Sequence, residues 1–392
     1  MKQGWEVKKL GDVCIFERGL TYAKSDEVAV SSKGVLRSNN VDLSSNTLNF
    51  DEIKYLREDF EIPTKKKVKK NCLLMCMSNG SKIHLGKVAL VDKDIDFAFG
   101  GFMGLLTPNE GIIHPMYLYY VLISPAYKLL IKNLSDGANI NNLKFADLKS
   151  FNISVPSIEE QQRIVDILDK EFEKIDTLKA NAGKGLQYAK DLFQSALKQE
   201  LQPKDGWITK TIEELSEDLF AGGDVPRESF SKTQNDDYNI PIYANAVENN
   251  GLYGYTNRAR VIKPSITIAG RGSGTGYVIE RNESYFPVVR LIVVIPNEFV
   301  LNKYLYYALK ALNIKSNGSA IPQLTVPMIA QYKINFPKSL DEQNTIICLL
   351  DRISEYCKTL QANYEKTIAL CDDMKQALLR KAFNGELKKN IL

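Results

Sequence analysis

A glycine-rich stretch is the first candidate for chemistry. Residues 270–276 read Gly-Arg-Gly-Ser-Gly-Thr-Gly. Such a stretch can cradle a phosphate or a dinucleotide, but it must then open a helix whose N-terminus meets the phosphates. Here Tyr-Val-Ile-Glu follows, which is a strand pattern. We therefore predict a turn between two strands, which is either a purely structural hairpin or a turn that presents Arg271 to a ligand.

Residues suited to metal binding or catalysis are scarce. The chain has two histidines, His84 and His114, and six cysteines without a Cys-x-x-Cys pair. A zinc site needs a set of such ligands at defined spacings. The sequence also lacks a Walker loop and the Asn/Asp-Pro-Pro-Tyr/Phe run of amino-methyltransferases. These observations predict a binding protein that holds no cofactor or metal of its own, not an enzyme.

Two long helical patterns would have to position the functional loops. In residues 159–201, apolar residues recur every three or four positions for about six heptads, with charged or amide side chains between them. Pro203 and Gly206 follow this stretch and end it. Residues 341–387 carry the same rhythm, including three of the six cysteines on or beside the stripe. A helix of that length is roughly 60 Å long at ~1.5 Å per residue, which is typical of a spacer or a docking rail.

The two halves of the chain repeat each other. Ser157-Ile-Glu-Glu-Gln161 matches Ser339-Leu-Asp-Glu-Gln343, and Thr-Leu-x-Ala-Asn occurs at residues 177–181 and 359–363. The globular parts repeat as well, because Gly-Trp occurs at 4–5 and 206–207 and Tyr-Leu-Tyr-Tyr at 117–120 and 304–307. The order is the same in both halves. We therefore predict a duplicated module: a domain over 1–156, a helix over 157–203, a domain over 204–337 and a helix over 338–387.

Each globular part is predicted to be a β-rich α+β domain. Short apolar runs bounded by Gly, Asn or Pro indicate strands, namely LLMCM, KVALV and GLLTP in the first half and SITIA, GYVIE and RLIVVI in the second. Helical patterns occupy residues 116–133 and 301–312. The Tyr-Leu-Tyr-Tyr segments fall on these helices, where core packing is favoured over base stacking.

Composition places broad bounds on the function. The chain of 392 residues is 44% apolar, and its net charge of +4 permits a polyanionic partner without demonstrating one. No apolar run is long enough to span a membrane, and the start lacks the apolar core of a signal peptide. We therefore expect a cytoplasmic protein without membrane contact, with its cysteines serving as small core residues in a reducing compartment.

The ordered set of motifs resembles one family. The segments PSIEEQQRI and PKSLDEQNTI at the helix starts, GWEVKKLGDV and GWITKTIEEL at the domain starts, and KQALLRKAFNGEL at the end are similar to those of type I restriction-modification specificity subunits. So are the central segments SNGSKIHLGKVALV and IPIYANAVENNGLYGYTN. Any single motif is weak, but together the motifs cover essentially the whole chain.

The resemblance implies a fold and a set of partners. It implies two β-rich α+β target-recognition domains in tandem, separated by two long antiparallel helices that form a coiled coil with pseudo-two-fold, circular organisation. Each domain would read one half of a split, asymmetric site on double-stranded DNA, and the helices would set the gap. Two methyltransferase subunits would be the partners, and two restriction subunits can join them in this family. S-adenosylmethionine, ATP and magnesium would belong to those partner subunits.

Loop residues able to hydrogen-bond bases or phosphates are the candidate DNA contacts. Arginine can bond guanine O6 and N7 together, and asparagine can bond adenine N6 and N7, so Arg271 is the first candidate for base reading. In the alternative interpretation, the Asn-Gly and Gly-Tyr steps only mark turns. The predicted set is Arg37, Asn39, Asn40, Asn79, Lys82 and His84 in the first domain, and Asn245, Asn250, Tyr253, Tyr255, Arg258, Arg271 and Ser273 in the second.

Two other functions fit the same sequence features. One is a regulatory specificity protein without partner subunits, and the other is a coiled-coil adaptor whose globular ends bind proteins instead of DNA. Both keep the duplicated architecture. They differ from the first interpretation in what the polar loops contact.

Overall fold

The computed structural model describes residues 4–136, 142–272, 274–312, 314 and 323–387. The chain forms two compact units, one of Met1–Asn181 with Thr367–Leu392 and one of Ala182–Lys366. We call residues 4–156 the first head and residues 204–337 the second head. Each unit thus contains one head and part of each long helix.

The first head is built from three small sheets and four helices. A four-stranded antiparallel sheet has the order β2-β9-β6-β7, a second sheet has the order β3-β5-β4-β8, and β1 pairs with β10. The strands are β1 (Glu6–Lys9), β2 (Cys14–Arg18), β3 (Glu27–Val28), β4 (Lys33–Leu36), β5 (Lys54–Leu56), β6 (Leu73–Cys76), β7 (Val88–Leu90), β8 (Ala98–Phe99), β9 (Met103–Pro108) and β10 (Asn152–Val155). The helices are α1 (Leu10–Val13), α2 (Pro115–Leu122), α3 (Pro125–Asp136) and α4 (Phe145–Lys149), and the long helix α5 (Ile158–Glu200) follows.

The second head has the corresponding sheets. Its sheets have the orders β12-β18-β15-β16 and β14-β13-β17, and β11 pairs with β19. The strands are β11 (Ile208–Thr211), β12 (Ser216–Ala221), β13 (Ile240–Tyr243), β14 (Leu252–Thr256), β15 (Ser265–Ile268), β16 (Val278–Arg281), β17 (Phe286–Pro287), β18 (Ile292–Pro296) and β19 (Lys333–Phe336). The helices are α6 (Asn302–Ala311) and α7 (Val326–Ala330), and the long helix α8 (Leu340–Phe383) follows.

The topology repeats as the sequence predicts. The central strand β6 lies between β9 and β7 in the first head, and β15 lies between β18 and β16 in the second. Each head has a parallel pair, β4 with β8 and β13 with β17. The six strands predicted from apolar runs are all present. The helical pattern predicted over residues 116–133 is instead two helices, α2 and α3, because Pro125 begins the second of them.

The long helices pack as an antiparallel pair. In the first unit, Lys179 bonds Asp372 at 2.6 Å and Lys375 bonds Asp176 at 2.5 Å. Moving forward along α5 therefore means moving backward along α8. In the second unit, the ring of Tyr364 on α8 packs directly on Gly185 of α5, where a Cβ atom would lie 2.4 Å from the ring. The ring thus occupies the space that a Cβ atom at position 185 would fill.

The residues of the two predicted apolar stripes are buried or partly buried, except for Leu178 on α5 and Met374 on α8. Ile164, Leu168 and Ile175 on α5 and Leu350 on α8 are among the buried stripe residues. Leu178 and Met374 are 46% and 47% exposed, so the prediction was wrong for these two. In the first unit, α5 and α8 are joined near these positions by the Lys179–Asp372 and Lys375–Asp176 pairs. Five cysteines are buried as expected, but Cys348 is exposed.

A buried glutamine ties each head to its long helix. Gln161, with no exposed surface, accepts a bond from the His114 backbone N–H at 2.8 Å. Its amide donates to the carbonyls of Ile112 and Pro156 at 3.0 and 2.9 Å. Gln343 makes the same three bonds in the second unit, to the Leu301 N–H and the carbonyls of Phe299 and Pro337. We call this arrangement the glutamine clamp.

The Tyr-Leu-Tyr-Tyr segments serve the same junction, and their predicted role in packing is confirmed. Tyr117 is fully buried and donates to the Ser154 carbonyl of β10, and Tyr304 donates to the Asn335 carbonyl of β19. Three positions later, Tyr120 donates to Asp169 and Tyr307 to Asp351, each at 2.5 Å. Burial raises the pKa of Tyr304, so this hydroxyl stays protonated and donating.

The glutamine clamp should be a large source of stability. Replacing Gln161 with alanine leaves one N–H and two carbonyls without partners in a buried position. We expect the free energy of unfolding of the first unit to fall by about 2–4 kcal/mol. The chain has two tryptophans, Trp5 and Trp207, so denaturant unfolding followed by Trp5 fluorescence in a Trp207→Phe background reports on the first unit.

The neighbouring Gln162 provides the matched control. It is exposed, and its side-chain amide donates to Asp166, one helical turn further along α5, at 2.8 Å. Gln162→Ala should change the free energy of unfolding by no more than about 0.5 kcal/mol. Equal effects of the two substitutions would contradict the role of the clamp.

Candidate nucleic-acid interface

Four of the candidate residues in the first head line one cleft. The cleft has a volume of about 1240 Å³ and is lined by residues that follow the ends of β4, β6 and β8. Arg37, Asn39, Asn79 and His84 are part of this lining. The fold thus brings together predicted side chains from two separate loops. The remaining two candidates, Asn40 and Lys82, are not among its lining residues.

Asn40 is a correction to the predicted set. Its side chain has no exposed surface and donates to the carbonyls of Asn49 and Glu52, both at 3.2 Å. Its Oδ1 atom accepts the backbone N–H of Arg37 at 2.8 Å. The amide is therefore used to shape the loop and is not available to a ligand. Asn39, one residue earlier, is exposed.

The two loops of the cleft are joined by side-chain hydrogen bonds. Asn79 donates to the hydroxyl of Ser38 at 2.8 Å and accepts the N–H of Ser81 at 2.9 Å. Lys87 lies below the loop and donates to the Val41 carbonyl at 2.7 Å. Burial lowers the pKa of Lys87. The loops are thus held in place before any ligand binds.

The cleft offers polar atoms to a ligand. Among the described residues, Arg37 Nε and His84 Nδ1 are buried polar atoms without a hydrogen-bond partner. Such atoms carry a desolvation cost that a ligand can relieve. Lys24 and Lys87 add positive charge to the lining, whereas Glu27, Asp42 and Glu52 add negative charge. The cleft is therefore mixed in charge and rich in hydrogen-bonding groups.

Lys82 lies on a different surface of the first unit. It is exposed, and it lines a groove of about 990 Å³ between the first head and the long helices. The structure therefore does not bring Lys82 together with the other first-head candidates, and its side chain faces a separate part of the unit.

In the second head, Asn245 has a positioning role. Its amide donates to the Val289 carbonyl at 2.5 Å, and its Oδ1 atom accepts the Gly270 N–H at 2.8 Å. It thus holds the loop of Arg271 against the loop of Val289. Arg271 itself is exposed at the end of the β15–β16 hairpin, as the strand pattern after the glycines predicts. Ser273 lies outside the described residues.

Asn250 lies in an unusual turn supported by a buried arginine. Asn249 and Asn250 have φ angles of 50° and 52°, which asparagine tolerates better than most residues. The Asn250 carbonyl accepts a 2.5 Å bond from Arg281, which is 4% exposed and stacks 3.5 Å over the Tyr243 ring. Burial lowers the pKa of Arg281. The Asn250 side chain is exposed beside this support.

Tyr253 and Tyr255 lie on strand β14, and Arg258 follows it. Tyr253 packs on Phe230 at a ring distance of 5.7 Å, and Lys232 lies 5.0 Å over its ring. Arg258 is exposed and lies 5.9 Å over Phe286. These ring contacts of Tyr253 and Arg258 are with Phe230, Lys232 and Phe286 and do not include Arg271. The structure thus separates the second-head candidates into two groups.

Three exposed residues beside the candidate loops were not predicted from the sequence. Phe102, 72% exposed, lines the first cleft, and Val289 and Arg290 form an exposed turn beside Asn245. Phe102 follows two glycines, but this pattern does not show that the ring faces solvent. The turn at Val289 and Arg290 contains no glycine or asparagine, so no turn signal was available to find it.

Two classes of function receive no structural support from the described residues. Across the described ranges, no group of three or more His, Cys, Asp or Glu side chains could hold a metal ion. No helix in the same ranges is long and apolar enough to cross a membrane.

The fold and the clefts together define a class of protein. The two heads share the strand order of one antiparallel sheet, carry different polar loops, and are each clamped to long antiparallel helices, as in a two-headed binding protein. The chain belongs to the family of type I restriction modification DNA specificity domains, since the family's model matches residues 2–184 and 204–369.

Related proteins agree with this membership. One relative is S.MpnORF89P of Mycoplasma pneumoniae, which is named as a type I specificity subunit. It is 29% identical over 288 residues, which cover 70% of this chain and 83% of that protein. The StySPI specificity subunit of Salmonella potsdam is 30% identical over 200 residues, and the EcoKI specificity subunit of Escherichia coli is 28% identical over 200 residues. Each of these two matches covers 50% of this chain and 42% of the relative, so it spans less than half of the relative's length.

Solved structures share the fold. A chain from a study of complex assembly and conformational transition in a type I system superposes with a TM-score of 0.84, 18% identity and 99% coverage of both chains. The HsdS subunit of Thermoanaerobacter tengcongensis gives a TM-score of 0.62 and 18% identity, with 99% of this chain and 98% of that chain covered.

The different roles of Asn39 and Asn40 can be tested directly. Asn40→Ala removes the side-chain partner of the Asn49 carbonyl and of the Arg37 N–H. It also removes one of the two amides that bond the Glu52 carbonyl. We expect it to lower the free energy of unfolding by about 1–3 kcal/mol and to speed hydrogen exchange across residues 40–52. Asn39→Ala, at an exposed position, should change stability by about 0.5 kcal/mol or less. A larger effect on stability from Asn39→Ala would contradict this assignment.

Proposed function

We propose that this chain is the DNA sequence-specificity subunit of a type I restriction-modification complex. Each head reads one half of a split, asymmetric site on double-stranded DNA. The observation that carries the proposal is that equivalent loops of the two heads are each joined by a side-chain hydrogen bond but carry different side chains. Ser38 and Asn79 join the loops of the first head, whereas Asn245 joins the Arg271 loop of the second.

Base reading is the chemistry that these loops favour. Asparagine and arginine side chains recognise adenine and guanine edges in the major groove through paired hydrogen bonds. A loop that is already held by internal bonds loses little conformational entropy on binding. Since the two heads present different side chains, the two half-sites should differ. Other contacts would be to phosphates, which position the protein without reading sequence.

The long helices supply the spacing and the docking surface. They are stiff, uninterrupted and paired. Exposed surface on these helices would receive two methyltransferase subunits, and two restriction subunits would complete a cleaving complex. The chain itself is non-catalytic in this proposal. S-adenosylmethionine, ATP and magnesium would be held by the partner subunits, and the chain would act in the cytoplasm.

A methylation survey tests the function. The full chain would be produced with its cognate methyltransferase subunit in a host without other adenine methylation, and modified positions would be mapped across the genome. We expect one split, asymmetric motif methylated at adenine N6. The control is the methyltransferase subunit alone, which should leave no motif. A chain that binds its protein partners but directs no methylation would instead be an adaptor or a regulatory specificity protein.

The spacing role of the helices makes a separate prediction. Inserting four residues after Gly183 lengthens α5 by one turn, or about 6 Å. We expect the gap between the half-sites to grow by about one or two base pairs, with both half-sites still recognised. The measurement is the same methylation survey.

Gly183→Ala provides a length-matched control. No atom lies within 4 Å of where its Cβ would be, and the helix keeps its length. This variant should preserve the gap. If the insertion changes the half-sites themselves, the helices do not act as a spacer.

A further inference from the structure

A turn in the second head has an improbable sequence for its shape. Residues Val288–Leu291 connect β17 to β18, and the Leu291 N–H donates to the Val288 carbonyl at 3.1 Å. The two central residues, Val289 and Arg290, have φ angles of 52° and 59°. Positive φ at both positions defines a type I′ turn, in which Asn, Asp and Gly are strongly preferred. A β-branched valine in this region is an outlier.

The surrounding loops hold this turn in place. Asn245 donates to the Val289 carbonyl at 2.5 Å. The Val289 N–H donates to the Gly223 carbonyl at 2.8 Å, and the Arg290 N–H donates to the Gly222 carbonyl at 3.1 Å. A Cβ atom on Gly222 would lie 2.7 Å from the Pro287 carbonyl, so glycine permits this approach. A strained backbone persists only where its surroundings over-determine it, and such places cluster at functional sites.

The turn places a second arginine beside Arg271. Arg290 and Arg271 are both exposed. Their loops touch, since a Cβ atom on Gly270 would lie 3.2 Å from the Arg290 carbonyl oxygen. Asn245 bonds both loops, through the Gly270 N–H and the Val289 carbonyl. The two exposed arginines are therefore carried by adjoining loops of the second head.

The same position in the first head has different chemistry. There the Met103 N–H donates to the Gly100 carbonyl at 2.8 Å, as Leu291 does to Val288. The Gly19 N–H donates to the Met103 carbonyl at 3.1 Å, as Gly222 does to Leu291 at 2.8 Å. Phe102 is therefore the counterpart of Arg290, and it is 72% exposed in the first cleft. The two positions precede residues that make the same backbone hydrogen bonds, although Arg290 has a positive φ and Phe102 does not. Unlike exposed side chains at such equivalent positions are expected of a residue that reads a ligand.

We infer that Arg290 is a specificity-determining residue of the second head. Its guanidinium donates two hydrogen bonds to O6 and N7 of one guanine in the second half-site, next to the base that Arg271 contacts. The strained turn fixes the backbone from which the side chain extends, and paired planar hydrogen bonds to a base edge need such a fixed direction. This inference rests on the proposed function.

The experiment uses the full chain with its methyltransferase subunit and a DNA library in which the second half-site is randomised. Relative methylation of each sequence gives the preference at every position. With Arg290→Ala, we expect the preference for guanine at one position to fall roughly tenfold to a hundredfold, with the first half-site unchanged. Arg290→Lys keeps the charge but loses the planar pair of donors, so it should lose most of the same preference.

Lys263 provides the matched control. It is an exposed cation at the other end of β15 from Gly270, and Lys263→Ala should alter the preference at no position. An equal loss on all sequences with Arg290→Ala would make Arg290 a phosphate contact and overturn the inference. An unchanged preference would overturn it as well.

The outcomes separate the inference from the proposed function. If the unaltered complex methylates no split motif, the proposed function fails. If it does, and Arg290→Ala keeps the full preference, only the inference fails. Thermal unfolding of each variant, which should match that of the unaltered chain, ensures that a change in preference is not a loss of folding.

Discussion

The glutamine clamp is the interaction on which the use of the two heads depends. A head can address a defined place on a ligand only if its orientation on the helix is fixed. Gln161 fixes it because a buried amide must satisfy both its donors and its acceptor, and here the partners are backbone groups of the head. Backbone partners do not change with the side chains around them. Gln343 repeats the arrangement in the second unit, so the same joint serves heads of different sequence.

The molecule separates the parts that set geometry from the parts that set recognition. The two units share the clamp, the equivalent Tyr120–Asp169 and Tyr307–Asp351 bonds, and the order of the four-stranded antiparallel sheet. The sheet that contains β4 has four strands, whereas the sheet that contains β13 has three. The cleft loops differ, although they leave equivalent strands. Tyrosine and glutamine at the joint are buried, whereas Asn39, Phe102 and Arg271 are exposed. Recognition can therefore change through exposed loop residues at small cost to stability, because surface substitutions usually change the free energy of unfolding little.

Much of the fold could be predicted from the sequence, and particular residues show where prediction ended. The helical period and the internal repeat predicted both long helices, and the short apolar runs predicted the six strands, because all of these signals can be read from the sequence itself. They could not show that Leu178 would be exposed, since that depends on how the paired helices meet. Within the clefts, Asn39 and Asn40 are the same residue type in the same loop, yet only Asn40 is buried. Both residues bond Asn49 and Glu52, but only Asn40 also accepts the backbone N–H of Arg37, and sequence spacing does not reveal this.

The turn at Val289 shows why the most informative positions escape sequence reasoning. Turn prediction relies on residues that adopt positive φ at low energy, such as glycine and asparagine. Valine and arginine, which occupy positions 289 and 290, do not favour positive φ. Their conformation is imposed by Asn245, Gly222 and Gly223 from elsewhere in the head. Local preference and tertiary structure disagree here, and natural proteins tend to keep such conflicts at functional sites. A conflict that the surrounding hydrogen bonds enforce, beside an exposed arginine, is therefore stronger evidence of a recognition role than the composition of any loop.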